Sequence, residues 1–193
     1  MTEREKMLAG KLYDPTDAEL YQLRTRAHVL SQKYNAIPEP KPKKREKNLR
    51  SLCPDHGENF FLQGPVQFDY GAFTRFGKNF YANFNFTVLD CCPVTIGNDV
   101  FVGPNCSLMT PVHALLPEDR NVRFRPDGSA YDLEYAKPIV IKDNCWLASN
   151  VTITGGVTIG EGCVIGAGSV VTRDIPPYSF AAGAPCRVIR KTP

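Results

Sequence analysis

The sequence predicts a mainly β protein, a solenoid of six-residue repeats with a small N-terminal helical appendage and one expelled loop. Three observations carry this expectation. Ile141, Leu147, Ile153, Ile159, Ile165 and Val171 stand six residues apart. The positions four after the first five of these, Cys145, Val151, Val157, Cys163 and Ser169, are all small or aliphatic. Upstream, Ile96, Val102 and Leu108 keep the same spacing, and a weaker start at Phe76, Ala82 and Val88 slips by two residues before Ile96. A period of six cannot line one face of an α-helix; it makes a flat side and a turn, repeated. Three such units close one triangular coil, so Ile141 is expected beneath Ile159, Leu147 beneath Ile165 and Ile153 beneath Val171. Each buried aliphatic stabilises by about 1.5–3 kcal/mol. Glycines such as Gly97, Gly103, Gly160 and Gly166, each just after an aliphatic position, are expected to supply the turns.

The segment before the repeats reads as helical over residues 3–12 and 16–34. Between these, Asp14-Pro15 has the chemistry of an N-cap followed by proline at the first helical position. Leu20, Leu23, Ala27, Leu30 and Tyr34 recur at spacings of three and four and form one apolar stripe. The run Pro38-Glu39-Pro40-Lys41-Pro42 breaks the chain into a linker, and a short helix is expected over 43–52. From residue 60 the chain turns to short segments rich in Val, Ile, Phe, Thr and Gly. The expected organisation is a helical segment and linker over 1–58, the solenoid over 59–185 and a basic tail over 186–193. The polar stretch between Leu108 and Ile139 interrupts the repeats and is expected to leave the prism as a loop over about 109–138; long excursions of this kind carry function.

Composition narrows the function classes. The formal net charge is +3, but residues 1–50 hold 12 Lys and Arg against 7 Asp and Glu, so the basicity belongs to the appendage. The cluster Lys41 to Lys47 lacks interleaved aromatics and reads as solvated, so no nucleic-acid partner is expected. No run approaches membrane-spanning length, and the charged start Met1-Thr2-Glu3-Arg4 lacks the apolar core of a secretory signal. Seven scattered cysteines without Cys-x-x-Cys pairs fit reduced thiols, hence a cytoplasmic protein. Cys91-Cys92 is expected to pack.

In its motifs the chain resembles the maltose and galactoside O-acetyltransferases, a branch of the hexapeptide-repeat acyltransferases. The residues that carry the resemblance are Ala9-Gly10-Lys11-Leu12-Tyr13, Asn79-Phe80-Tyr81-Ala82-Asn83-Phe84-Asn85, Leu89-Asp90 with Cys92-Pro93, His113 in its loop, and Lys137-Pro138-Ile139. It continues through Ile165-Gly166-Ala167-Gly168-Ser169 and Asp174-Ile175-Pro176-Pro177 to Ala182-Gly183-Ala184-Pro185-Cys186-Arg187. The resemblance implies a left-handed β-helix, a homotrimer with active sites between neighbouring prisms, and acetyl-coenzyme A as co-substrate with a sugar as acceptor.

Acetyl transfer from a thioester to an alcohol needs a base, because the hydroxyl is a poor nucleophile until its proton leaves. An imidazole suits that task near neutral pH. His113, the only histidine after residue 56, matches the family's catalytic histidine. Cysteine is the better intrinsic nucleophile, but Cys106, Cys145 and Cys163 occupy inward repeat positions, which favours direct attack over an acetyl-cysteine route. A backbone N–H near Ser149 is the candidate oxyanion donor.

For the acceptor, the resemblance points to Asp69 and Asn83, with turn chemistry as their alternative role, and to an N-terminal acid that maps to either Asp14 or Asp17. Cys91 stands where the galactoside branch has an aspartate. Tyr81 and Trp146 offer flat faces to a sugar or pantetheine, or pack. Ser149, Ala167 and Thr172 match coenzyme contacts, and Arg173, Arg187 and Arg190 are suited to its phosphates.

Three rival functions stand beside this one. A zinc enzyme of the carbonic anhydrase type needs three converging imidazoles, whereas His28 and His56 lie outside the repeats, so no metal is expected. A non-catalytic solenoid could bind sugar without turning it over. N-acetylation of an antibiotic or amino sugar needs the same fold and base.

Overall fold

The computed structural model describes residues 1–192. Its centre is a three-sided parallel β-solenoid. The first face stacks Thr74–Phe76, Val94–Ile96, Ile139–Ile141 and Thr158–Ile159. The second stacks Phe61–Leu62, Tyr81–Ala82, Phe101–Val102, Trp146–Leu147, Val164–Ile165 and Ser179–Ala182. The third stacks Val66–Phe68, Phe86–Leu89, Ser107–Met109, Thr152–Thr154 and Val170–Val171. Ile141 pairs with Ile159, Leu147 with Ile165 and Ile153 with Val171, all at most 1% exposed, as the repeat predicts. Cys145, Val151, Val157, Cys163 and Ser169 fill the corners and are buried.

The coils differ in length, and the difference sits at one corner. In the early coils Phe61 pairs with Tyr81 and Tyr81 with Phe101, whereas in a late coil Trp146 pairs with Val164. Each early coil therefore carries two extra residues, which lie between the third and first faces in segments 69–73 and 89–93. Asp90, fully buried, pins the first of these bulges by accepting from the Tyr70 and Gly71 N–H groups at 2.8 and 3.1 Å, the Phe73 N–H at 3.3 Å and the Thr74 hydroxyl at 2.9 Å. The long loop leaves from the same corner. The slip ahead of Ile96 and the expelled loop are therefore one feature at two lengths.

Asparagine, more than glycine, makes the turns. Asn59, Asn79, Asp99 and Asn144 hold left-handed φ values in a column along one corner, and Asn85, Asn105 and Asn150 do so along the next. Asparagine tolerates that region because its short amide bonds locally. The column is also tied laterally: the Asn59 amide donates to Asn79 Oδ1 at 2.8 Å, and Asn79 donates to Asp99 at 2.7 Å. The glycines expected to turn the chain serve close approach instead, since a Cβ on Gly97 would lie 2.1 Å from the Asp143 carboxylate.

The appendage holds α1 (Glu3–Leu8), α2 (Ala18–Asn35) and α3 (Pro42–Leu52). Helix α1 stops at Leu8, short of the expected residue 12, because Gly10 turns left-handed and Tyr13 bridges to Glu134. The N-cap of α2 is Asp17, not Asp14. Its carboxylate accepts from the Glu19 and Leu20 N–H groups at 3.0 and 3.3 Å. Asp14 turns onto Thr16 and pairs with Arg125 of the loop. Tyr34, Leu49 and Leu52 join the main core and close one end of the prism.

The loop has structure of its own. Pro111–Val112 pairs with Tyr135–Ala136 at its base, α4 (Pro117–Arg120) follows, and Arg123–Phe124 forms a hairpin with Ala130–Tyr131. At the other end, Arg187–Lys191 is not a loose tail but an exposed antiparallel strand on Ser179–Ala182. Pro193 of the expected tail lies outside the described residues. No helix among the described residues is long and apolar enough to cross a membrane.

Candidate active site

Away from the main core, Met7, Tyr13, Leu20, Tyr70, Cys91, Cys92 and Ala136 form a second buried cluster. It brings together the appendage, the bulged corner and the base of the loop, and so seats a row of polar groups above it. His113 is at one end. The antiparallel register sets Val112 opposite Tyr135, so the next residues along, His113 and Glu134, face each other. His113 Nε2 lies 3.6 Å from Glu134 Oε2, with the imidazole side chain 55% exposed and the carboxylate 12%. At that distance the pair is an electrostatic contact, longer than a hydrogen bond. The other Glu134 oxygen accepts from the Tyr13 hydroxyl at 2.7 Å. Asp69 stands on the same cluster, its carboxylate 3.6 Å from the Cys91 thiol and 3.4 Å from His28 Nε2 of α2.

Burial dominates the electrostatics of this row. It pushes the Glu134 carboxyl above the usual carboxylate range, while the Tyr13 hydrogen bond and His113 pull it back. Burial and the nearby Cys91 and Glu134 push Tyr13 far above an ordinary phenol, so it stays a donor. Burial, then Asp69, raises the Cys91 thiol. All seven cysteines are buried and free, and burial raises the thiols of Cys106, Cys163 and Cys186 and takes Cys145 up to about 11. A thiolate nucleophile is disfavoured at each.

The other residues singled out from the sequence divide between two corners of the third face. Thr172 stacks above Thr154 at the corner from which the loop leaves, the corner that also holds Asp69. Arg173 follows it, exposed. Asn83, Ser149 and Ala167 stand at the opposite corner, just ahead of the third-face strands Phe86–Leu89, Thr152–Thr154 and Val170–Val171 rather than after them. There Asn83 spends its side-chain oxygen on the Phe84 N–H at 2.8 Å, and Ser149 is half-buried beneath Ala167. Tyr81 and Trp146 lie on the second face in register with Phe101. Tyr81 stacks on Phe61 with centroids 5.7 Å apart, whereas Trp146 is 53% exposed. Asp17 is engaged as a cap and Asp14 as an ion-pair partner. One chain therefore gathers His113 and Asp69 and leaves Asn83, Ser149, Ala167, Tyr81 and Trp146 elsewhere.

Glu134 and Tyr13 are missing from the sequence-derived set. The signal for Glu134 is its place just before Lys137-Pro138, where the loop rejoins the repeats. A loop zipped shut at its base must face that position towards the residue after Val112. Tyr13 enters the sequence reading only as the last residue of the Ala9-Gly10-Lys11-Leu12-Tyr13 motif, with no role at the site.

For a polyanionic coenzyme the charges fit. Arg173, Arg187 and Arg190 are exposed, and none is in an ion pair with an acidic side chain among the described residues. Gly168, next to Ala167, has open space where a Cβ would point. His28, His56 and His113 do not converge. His56 stacks on Phe60 at the closed end of the prism, with centroids 4.7 Å apart.

A parallel solenoid of six-residue units, interrupted by one long loop, is a hexapeptide-repeat fold. The comparisons with known proteins agree. The maltose acetyltransferase hexapeptide capping motif matches residues 6–57, and the bacterial transferase hexapeptide matches 138–173. A galactoside O-acetyltransferase of Escherichia coli (strain K12) is 41% identical over 191 residues, covering 99% of this chain and 90% of that protein. The crystal structure of a maltose O-acetyltransferase from Clostridium difficile 630 superposes with a TM-score of 0.91 at 40% identity, covering 100% of this chain and 98% of the other. A galactoside acetyltransferase in complex with coenzyme A gives 0.90 at 40% identity, covering 100% and 92%. The chain belongs to the galactoside and maltose O-acetyltransferase family of hexapeptide-repeat enzymes.

Proposed function

We propose that the protein transfers the acetyl group of acetyl-coenzyme A to a hydroxyl of a sugar, with His113 as general base, in clefts between the subunits of a cytoplasmic homotrimer. The observation that carries this reading is the exposed imidazole of His113 opposite Glu134, at the corner where loop, appendage and bulge meet. The imidazole takes the proton of the acceptor hydroxyl as its oxygen attacks the thioester carbonyl. The tetrahedral intermediate then expels the coenzyme thiolate, which is protonated as it leaves. Glu134 keeps a proton on the ring nitrogen that faces it and so leaves the opposite nitrogen its lone pair. It also stabilises the imidazolium that forms, the orienting role that triad carboxylates play.

Asp69 and Asn83 bind acceptor hydroxyls in this reading, with Asp14 or Asp17 and the rings of Tyr81 and Trp146 at its edge. Ser149, Ala167 and Thr172 follow the pantetheine arm, and Arg173, Arg187 and Arg190 meet phosphate. The separation of Asp69 and Asn83 onto two corners supports a shared cleft, because a neighbouring prism brings its own Asn83 corner to the first chain's loop. The exposed rings of Phe61, Phe101 and Trp146, aligned along the second face, supply apolar surface for such packing. Seven free, buried cysteines fit a reducing compartment and leave direct attack as the route.

Thiol release from acetyl-coenzyme A, measured with galactosides, maltose and glucose, tests the proposal. Wild type is expected to turn over at least one of them, and His113→Ala to lose activity by on the order of a hundredfold or more. Retained turnover in His113→Ala, or acetylation found only on amines, would overturn it.

A further inference from the structure

A chain of polar contacts runs from His113 through the site to a second imidazole. His113 meets Glu134, Glu134 accepts from Tyr13, Tyr13 borders Cys91, Cys91 meets Asp69, and Asp69 meets His28. His28 belongs to α2 and has no part in the reaction described so far. Its side chain is 49% exposed, against 20% for Asp69, so part of the ring remains open to solvent. The 3.4 Å between His28 Nε2 and Asp69 Oδ1 is longer than a well-formed N–H···O bond. Such a loose pair can admit a hydroxyl as a third partner. One turn earlier on the same helix, Arg24 reaches the Pro15 carbonyl at 3.2 Å and the Tyr70 hydroxyl at 3.5 Å, which fixes α2 against the bulged corner and with it the position of His28.

We propose that His28 is an acceptor-specificity residue, whose imidazole and the Asp69 carboxylate together hold adjacent hydroxyls of an uncharged sugar. This rests on the acetyl-transfer reading above and deepens it. A carboxylate accepts from sugar hydroxyls but cannot donate, and an imidazole beside it supplies the missing donor or a second acceptor. The two therefore match a vicinal diol, in which each oxygen both donates and accepts. Asp69 and Asp132 each lie close enough to Glu134 to interact with it electrostatically, and this concentration of acidic side chains repels an acceptor carrying a carboxylate or phosphate.

The test is steady-state thiol release with each substrate varied in turn, on wild type, His28→Ala, His28→Gln and Asp69→Asn. Loss of one neutral hydrogen bond predicts that His28→Ala raises the acceptor KM on the order of threefold to tenfold, with kcat, the acetyl-coenzyme A KM and the thermal midpoint held. Glutamine, which can still donate and accept, should restore much of the loss. In the double variant with Asp69→Asn the two effects should fall short of additive. Wild type should also prefer a neutral hexoside to the matching uronate. If His28→Ala leaves the acceptor KM unchanged while wild type acetylates sugars, the proposal is overturned and the acetyl-transfer reading stands. If wild type releases no thiol with any sugar, both fall together.

Discussion

The early and late coils of the solenoid solve the same packing problem with different perimeters. The late coils, in which Trp146 pairs with Val164, are the shorter; they fill their interior with Ile141, Ile153, Ile159, Ile165 and Val171 and turn at the third corner through Gly155-Gly156. The early coils, in which Tyr81 pairs with Phe101, enclose a wider section, which Phe68, Phe76, Phe80 and Phe86 fill with ring centroids 4.7 to 6.4 Å apart. A close-packed interior demands that match of perimeter and volume. The two added residues do more than widen the prism. They form the ledge on which Asp69 and Cys91 stand, and the long loop extends the same ledge to carry His113. Regular coils hold the molecule up; the irregular corner is where chemistry can be placed.

The sharpest way to break this contrast is to remove one side chain from each region and follow activity. His113→Ala, at the irregular corner, should lower kcat/KM for the sugar by about 100- to 10,000-fold. Cys163→Ala, inside a regular coil, should leave turnover close to wild type, because that thiol is buried and takes no part in the transfer. Loss of activity in the cysteine variant with its fold intact would revive an acetyl-cysteine route.

Stability should follow the same division. Asp90→Ala strands two or more of the four donors that the carboxylate satisfies, and at roughly 1–3 kcal/mol for each unsatisfied group the urea midpoint should drop well below wild type. Asp69, carried on the bulge that Asp90 pins, should lose its place, so the acceptor KM should rise as well. Thr154→Ala, at the closed corner of a late coil, should cost less than about 1 kcal/mol, since only the Thr154 hydroxyl bond to the Val171 carbonyl at 3.2 Å is lost. A smaller effect tests the perimeter itself. Ile159→Phe overpacks a late coil and should cost about 1–3 kcal/mol in the same denaturation experiment. A neutral result would mean that the late coils have room to spare.

What the sequence reveals follows this contrast too. The late coils are legible because Ile141 through Val171 repeat without interruption, so residue spacing alone supplies their stacking partners. The early coils are blurred by the two-residue slip, and the reason for the slip, a buried Asp90 gathering backbone donors from the coil before, depends on contacts 16 to 20 residues apart that no local pattern encodes. His113 stands out as the lone late histidine, in a loop. Glu134 does not, because an acidic residue in a polar loop is unremarkable until antiparallel pairing at its base sets it opposite the imidazole. Asp14 reads as a helix cap because Asp-Pro has that chemistry locally; Arg125, 111 residues later, takes its carboxylate instead.

The pairing of Glu134 with the imidazole yields the subtlest test of the irregular corner. Glu134 lies 3.6 Å from His113, close enough to stabilise the cation that forms when the ring takes the acceptor's proton. Glu134→Gln removes the charge and keeps the shape and a partner for Tyr13. The maximal rate should fall, because the ring is less well oriented and its cation less stabilised, while the thermal midpoint and the acetyl-coenzyme A KM hold. An unchanged midpoint separates this loss from a loss of folded enzyme. A maximal rate that stays at the wild-type value, measured with a sugar acceptor at saturating acetyl-coenzyme A, would leave Glu134 as a support for Tyr13 and the loop rather than a partner of His113.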